Sequence, residues 1–239
     1  MDENLASRDV PTSTWILKDE GSAIRPERSQ FSFSNVRRFA AIPSPRPMPV
    51  EEVSGDLLSC EEQYIVQQSN CVTDYAAGLA AAIAEKFPHA DVYKASARQD
   101  RGTDKSGDVP GTIAVLGGPC AATGQEQRGV INLFGQWAPG KPRTGPATAE
   151  YKGRKAAPGV IDDEKQRMEW FRKGLLDIAE IPGLESIAFP HQIGCGLAGG
   201  NWADYSKALD EFSEMMAEKN VKVKVYKMVE AAAVGCLDV

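Results

Sequence analysis

One stretch decides how this chain is interpreted: Pro190-His191-Gln192-Ile193-Gly194-Cys195-Gly196-Leu197-Ala198-Gly199-Gly200-Asn201-Trp202. It follows an apolar run at residues 187–189 that is typical of a buried strand, and apolar residues spaced by three and four predict an amphipathic helix from Trp202 onwards. Four glycines between a strand and a helix expose backbone N–H groups, and the helix start adds a partial positive charge. The stretch therefore predicts a site for a phosphate or diphosphate group.

A second loop has the same character. The chain runs from a predicted strand at residues 64–68 through Gln68-Ser69-Asn70-Cys71-Val72-Thr73-Asp74-Tyr75-Ala76-Ala77-Gly78-Leu79-Ala80 into a predicted helix of small residues at 78–87. Two such loops at one edge of a sheet are suited to clasp a diphosphate between two helix starts. Asn70 offers a donor and an acceptor, which suits sugar hydroxyls, and Asp56, after a predicted first strand, is a candidate acceptor for an amino group.

Strands and helices alternate from residue 50 onwards. Apolar runs predict further strands at residues 112–116, 130–134, 185–189 and 221–229, with a long polar loop at 135–161. Asp162 and Asp163 are expected to lie in the first turn of a helix whose apolar face holds Met168, Phe171, Leu175 and Ile178. The order predicts an α/β layered sheet, in which ligands sit at the carboxyl ends of strands.

The 239 residues divide into three predicted parts. Residues 1–48 are rich in Ser, Arg and Pro and predict a mostly disordered arm, whose few aromatic residues are candidates for docking on the domain or on a partner. Residues 49–230 form the predicted domain, and 231–239 a C-terminal tail.

Composition excludes several classes of protein. The net charge of −6 disfavours general nucleic-acid binding, and no apolar run approaches the roughly 18 residues of a membrane span. Five scattered cysteines without a CxxC motif indicate reduced thiols in the cytoplasm or nucleus, and with two histidines they make a zinc site improbable. We expect no metal and no cofactor.

Taken together, these motifs resemble a macrodomain. The resemblance covers roughly residues 50–228 and is closest to the branch that holds the ADP-ribose 1''-phosphate phosphatases and the terminal ADP-ribose glycohydrolases. It rests on Gly55-Asp56-Leu57, on Gln68-Ser69-Asn70-Cys71 with Gly78-Leu79-Ala80, and on Ile193-Gly194-Cys195-Gly196-Leu197 with Trp202.

The resemblance implies a three-layer α/β/α fold with a mixed sheet, and ADP-ribose or a derivative as ligand. By carry-over, Asp56, with Leu57, contacts adenine and Asn70 faces the distal ribose. The diphosphate is held by the loop at Gly78, Leu79 and Ala80 and by the loop formed by Gly194, Cys195, Gly196, Leu197, Ala198 and Gly199.

The chain departs from the glycohydrolase branch at two positions. That branch works through a lysine, whose position falls near Gly135 here, and an aspartate, whose position holds Ala198. The resemblance therefore favours phosphatase action on ADP-ribose 1''-phosphate. A non-catalytic reader of ADP-ribosylated proteins and a de-ADP-ribosylating hydrolase with another base are the alternatives.

The candidate catalytic residues are Asn70, Asp74 and His191. Asp74 is expected either to activate water or to cap the following helix, and His191 to act as a general acid or base. Cys195 is a packed residue or, less readily, a nucleophile. Lys141 and Arg143 form a phosphate-steering pair or are solvated loop charges. The GxGxxG spacing of the 194–199 loop comes too late in the chain for a dinucleotide-binding unit.

Overall fold

The fold was obtained from a computed structural model, which describes residues 50–100, 108–118, 127–145 and 148–228, with residues 98–100 described by their backbone alone. The predicted arm at 1–48, the tail at 231–239, and Cys120 and Cys236 lie outside these ranges. No helix in the described ranges combines the length and apolar composition that crossing a bilayer requires.

A six-stranded mixed sheet forms the centre. Its strands, in spatial order, are β1 (Glu51–Ser54), β8 (Lys222–Lys227), β7 (Ser186–Pro190), β2 (Tyr64–Asn70), β4 (Gly129–Gln136) and β3 (Ile113–Leu116). All neighbours are parallel except β3, which runs antiparallel to β4 at the edge. The carboxyl ends of five strands therefore meet at one edge of the sheet.

Helices cover both faces of this sheet. They are α1 (Leu79–Lys86), α2 (Ala95–Asp100), α3 (Glu164–Ala179) and α4 (Trp202–Glu218), with single 3₁₀ turns at Leu57–Ser59 and Pro88–Ala90. Val66 of β2 packs with Phe171 of α3 and Leu209 of α4, whereas its neighbour Ile65 packs on the other face with Ile83 of α1. The predicted three-layer α/β/α arrangement is confirmed, and burial on both faces explains the continuous apolar runs of the central strands.

The long segment between β4 and α3 differs from the prediction of a polar loop. It contains a two-stranded antiparallel hairpin, β5 (Glu150–Tyr151) and β6 (Arg154–Lys155). The turn between them places Lys152 and Gly153 at φ 47° and 78°, in the left-handed region. Two-residue strands are too short to show an alternating pattern, so periodicity could not predict them.

The start of α3 also differs in one residue. Asp163 is the N-cap, with its side chain accepting a hydrogen bond from the Gln166 backbone N–H at 2.7 Å. Asp162, predicted in the first turn, lies before the helix and is fully buried.

Candidate functional site

A cavity of about 500 Å³ opens at the carboxyl ends of β7, β2 and β4. Its walls come from the loops that follow these strands and from the start of α1. Among the described residues that line it there is no Lys, Arg, Asp or Glu. The predicted site residues that line it are Asn70, Gly78, Leu79, Ala80, His191, Gly194, Gly196, Leu197 and Ala198.

The start of α1 supplies backbone donors to the cavity. Gly78 is the N-cap at φ 57°, and no side chain caps the helix. The first N–H groups of a helix have no partner within it, and here Leu79 and Ala80 line the cavity. The arrangement suits an anion, because donors and the helix dipole act in the same direction.

The glycine loop after β7 is shaped by close packing on α4. Gly194 adopts φ 73°, and a Cβ there would lie 2.4 Å from Cε1 of Tyr205. The Gly200 N–H donates to the Gly194 carbonyl at 3.0 Å, which closes the loop. In contrast, a Cβ on Gly196 would meet nothing within 4 Å. The loop is thus fixed on its inner side at Gly194 and open towards the cavity at Gly196.

The two loops approach each other at the cavity. Leu197 is 70% exposed, and its Cδ1 lies 3.4 Å from the position that a Cβ on Gly78 would take. The predicted juxtaposition of the two helix-start loops is therefore present in the structure.

A buried ion pair that sequence reasoning missed fixes the loops from behind. The Arg167 guanidinium of α3 binds both carboxylate oxygens of Asp162 at 2.7 Å, and these side chains are 2% and 0% exposed. Arg167 Nη1 also donates to the carbonyls of Gly140, at 2.7 Å, and Ala198, at 3.1 Å. The Asp162 carboxylate accepts from the backbone N–H groups of Trp137 and Ala138.

This cluster, the Arg167–Asp162 brace, joins the loop after β4 to the glycine loop. Gly140 and Ala198 both line the cavity. One charged pair therefore sets the distance between two of its walls. The only sequence signal was an acid five residues before an arginine, which matches no helical face.

Asn70 at the end of β2 is buried, and most of the hydrogen-bonding capacity of its side chain is used within the protein. Its Oδ1 accepts from the backbone N–H groups of Val72 and Thr73 at 3.1 and 2.8 Å. Its Nδ2 donates to the Tyr93 hydroxyl at 3.3 Å and carries a second hydrogen. The acceptor expected for a sugar hydroxyl thus holds the following loop, and the amide can offer a ligand mainly its second N–H.

Other amides form the floor beside Asn70. Gln67 Nε2 donates to Asn132 Oδ1 at 2.6 Å, and Gln68 Nε2 donates to Gln136 Oε1 at 3.1 Å. Gln67 is 2% exposed and lines the cavity, and within the described residues its Oε1 accepts no hydrogen bond. Sequence reasoning did not single out these residues, because a glutamine in a strand has no spacing signature.

Asp74 and His191, the candidate base and acid, are placed differently. Asp74 is exposed and does not line the cavity, although Thr73 and Tyr75 on either side of it do. Since Gly78 caps α1, the helix-capping interpretation of Asp74 is wrong. His191 lines the cavity from the β7 side, and its ring packs on Trp202 with centroids 4.8 Å apart.

Four further predicted site residues lie outside the cavity lining. Asp56 caps the 3₁₀ turn after β1: hydrogen bonds from the Ser59 hydroxyl and the Leu58 N–H lower the pKa of its carboxyl. Leu57 is buried in the core, and Gly199 faces a second cavity. Burial raises the pKa of the Cys195 thiol to about 11, which favours the packing interpretation over a nucleophile.

Gly135 and Ala198, the two positions singled out in the sequence, are both in contact with other parts of the site. A Cβ on Gly135 would lie 2.7 Å from Cδ of the Gln68 side chain, so a larger residue at this position would require that side chain to move. The Ala198 carbonyl is held by Arg167.

Lys141 and Arg143 line the second cavity, of about 840 Å³, which lies behind the glycine loop. Neither lines the first cavity, so the structure does not place them as a steering pair for its ligand. In the part of the chain that the structure describes, no three His, Cys, Asp or Glu side chains gather as metal ligands.

No protein-family model matches this chain, and no curated protein sequence matches it. Solved structures similar to it include the macrodomain of Mycobacterium tuberculosis DarG, at 20% identity and TM-score 0.49, covering 74% of this chain and 96% of that one. The macrodomain of Thermus aquaticus DarG shows 24% identity and a TM-score of 0.48, and the match covers 74% of this chain and 97% of that one. Thermosipho africanus DarTG in complex with ADP-ribose shows 20% identity and a TM-score of 0.48. The match covers 77% of this chain and 44% of that one.

Proposed function

We propose that this protein binds ADP-ribose derivatives and hydrolyses a group from the distal ribose, with ADP-ribose 1''-phosphate as the favoured substrate. One observation carries the proposal: a cavity at the carboxyl ends of three parallel strands, without Lys, Arg, Asp or Glu in its described lining and faced by two loops that the sequence resemblance assigns to a diphosphate. Its volume of about 500 Å³ lies within the usual range for a small-molecule site.

In this proposal the diphosphate lies between the two loops. The N–H groups of Leu79 and Ala80 donate from one side, and those of the glycine loop around Gly196 donate from the other. Substituents on the ligand are held by the amide floor, where Gln67 Oε1 is a buried acceptor without a donor in the described structure. Backbone donors suit a diphosphate because they are fixed before the ligand arrives.

The distal ribose lies at Asn70. The buried amide is held rigidly by Val72, Thr73 and Tyr93, so its second N–H is pre-oriented for a ribose oxygen. Water attacks the phosphorus, the bond between phosphorus and the 1'' oxygen breaks, and ADP-ribose and inorganic phosphate leave. His191 or Asp74 exchanges the proton, and the substrate's own phosphates assist.

Phosphate release from ADP-ribose 1''-phosphate tests the activity. We expect release well above a buffer control, with a rate reduced on the order of 10²-fold in Asn70→Ala. His191→Ala and Asp74→Ala distinguish the proton carriers, since the true one loses kcat while ADP-ribose affinity is kept. Release no faster than the buffer control, with intact ADP-ribose binding, excludes phosphatase action.

The second candidate, a non-catalytic reader of ADP-ribosylated proteins, is favoured by one observation. The candidate proton carriers do not converge: Asp74 is exposed outside the lining, and the His191 ring packs on Trp202. A parallel incubation with an ADP-ribosylated protein separates the remaining possibilities. Retention without loss of the modification supports the reader, and release of ADP-ribose supports a de-ADP-ribosylating hydrolase.

A further inference from the structure

The mouth of the cavity beside Asn70 carries an aromatic and cationic cluster formed by Tyr75, Tyr151 and Lys152. Tyr75 lines the cavity and is 49% exposed. Its hydroxyl lies 3.3 Å from that of Tyr151 in the β5–β6 hairpin. The Lys152 ammonium lies over both rings, 5.8 Å from the centroid of Tyr75 and 5.4 Å from that of Tyr151.

The hairpin is anchored to the loop that follows β2. Arg154 donates from Nη1 to the Val72 carbonyl at 2.7 Å, and the two tyrosines meet beside it. Val72 itself is tied to Asn70 through its backbone N–H. The position of Lys152 is therefore set relative to Asn70 by a short chain of contacts, across a sequence separation of about 80 residues.

Within the described residues Lys152 forms no ion pair, whereas Lys155 on the same hairpin pairs with Glu150 at 4.0 Å. Two acidic residues adjoin the cluster along the chain: the exposed Asp74 precedes Tyr75, and Glu150, the partner of Lys155, precedes Tyr151. The described cavity lining holds no Lys or Arg, so the cation available to an anionic group at this end is Lys152 of the hairpin.

We propose that Lys152, supported by the Tyr75 and Tyr151 hydroxyls, binds the phosphate carried on the distal ribose of the substrate. The inference rests on the proposed function, because it takes the distal ribose to lie at Asn70. An ammonium and two phenolic O–H donors are suitable partners for phosphate oxygens. Lys141 and Lys165 line the second cavity instead.

The test compares two ligands that differ only in this phosphate. Competition against a fluorescent ADP-ribose, read within seconds of mixing, gives Kd for ADP-ribose and for ADP-ribose 1''-phosphate. We expect ADP-ribose 1''-phosphate to bind roughly fivefold more tightly than ADP-ribose at low salt, and this difference to shrink at 0.5 M salt, because an exposed ion pair is weak and screened.

Lys152→Gln removes the advantage and leaves the Kd of ADP-ribose unchanged. Lys155→Gln, on the same hairpin, is the matched control and keeps the advantage. Tyr151→Phe, which keeps the ring and loses the hydroxyl, raises the Kd of ADP-ribose 1''-phosphate and leaves the Kd of ADP-ribose unchanged.

Three results overturn the inference. If ADP-ribose binds but its 1''-phosphate binds no more tightly, or if Lys152→Gln and Lys155→Gln behave alike, Lys152 does not bind the phosphate, and the proposed function is untouched. If ADP-ribose itself does not bind at millimolar concentration, both the proposed function and the inference are excluded.

Discussion

The Arg167–Asp162 brace predicts that one substitution far from any ligand atom weakens both the fold and the site. Arg167→Ala removes a guanidinium that makes five hydrogen bonds, two of them to the Asp162 carboxylate and three to the carbonyls of Ala138, Gly140 and Ala198. Asp162 is 0% exposed, so its carboxylate is left in a place that water does not reach.

The expected cost follows from this burial. Breaking a buried pair by removing one partner destabilises a protein by about 3–5 kcal/mol, because the other charge is left uncompensated. In a domain of this size that corresponds to a melting temperature lower by roughly 6–20 °C. Arg172→Ala is the matched control: it removes an arginine of the same helix whose pair with Glu211 is exposed, which is worth about 0–1 kcal/mol.

Urea denaturation and calorimetric ADP-ribose titration are the two measurements. Arg167→Lys keeps the charge but not the planar fork, so it is expected to fold, to lose less stability than Arg167→Ala, and to bind ADP-ribose about tenfold more weakly, since the two loops are no longer held together. A loss in Arg167→Ala within about 1 kcal/mol of the Arg172→Ala control would refute the reasoning.

Three further outcomes follow from the loops. Gly196→Glu folds normally, because a Cβ there meets nothing within 4 Å, but it loses ADP-ribose binding to charge repulsion; unchanged affinity in calorimetry would exclude this loop as the diphosphate site. Gly194→Ala lowers the melting temperature, since its Cβ would lie 2.4 Å from Tyr205; a thermal melt equal to that of the parent would contradict the packing. Alkylation of Cys195, followed by peptide mass spectrometry, is slow at pH 7 and accelerates as the pH rises, because burial raises the pKa of the thiol to about 11 and the thiolate is the reactive form; rapid labelling at pH 7 would show a reactive thiol.

Local patterns were sufficient to predict the layers of the fold. The spacing of Phe171, Leu175 and Ile178 predicted the buried face of α3, and the apolar runs predicted the central strands. Both helix-start loops were predicted because glycine between a strand and a helix exposes backbone N–H groups, which is a local property of the sequence. Each of these signals lies within one element, and hence within a short window of sequence.

The remaining parts depend on contacts between distant segments. Asp162 looked like a first-turn acid, and only the fold shows that Arg167 turns inward to bind it. Tyr75 and Tyr151 are 76 residues apart, and nothing in either segment indicates the other. Asn70 was found, but the occupation of its oxygen by Val72 and Thr73 depends on how the loop turns.

Leu197 has a consequence for the kinetics of binding. Its side chain reaches from the glycine loop towards Gly78, across the place where a diphosphate would lie between the two loops. In the proposed binding mode this side chain covers the diphosphate, and we expect it to slow both entry and exit of the ligand. Leu197→Ala leaves every backbone donor in place, and stopped-flow traces should therefore show association and dissociation accelerated together, with residence time shortened and Kd nearly constant.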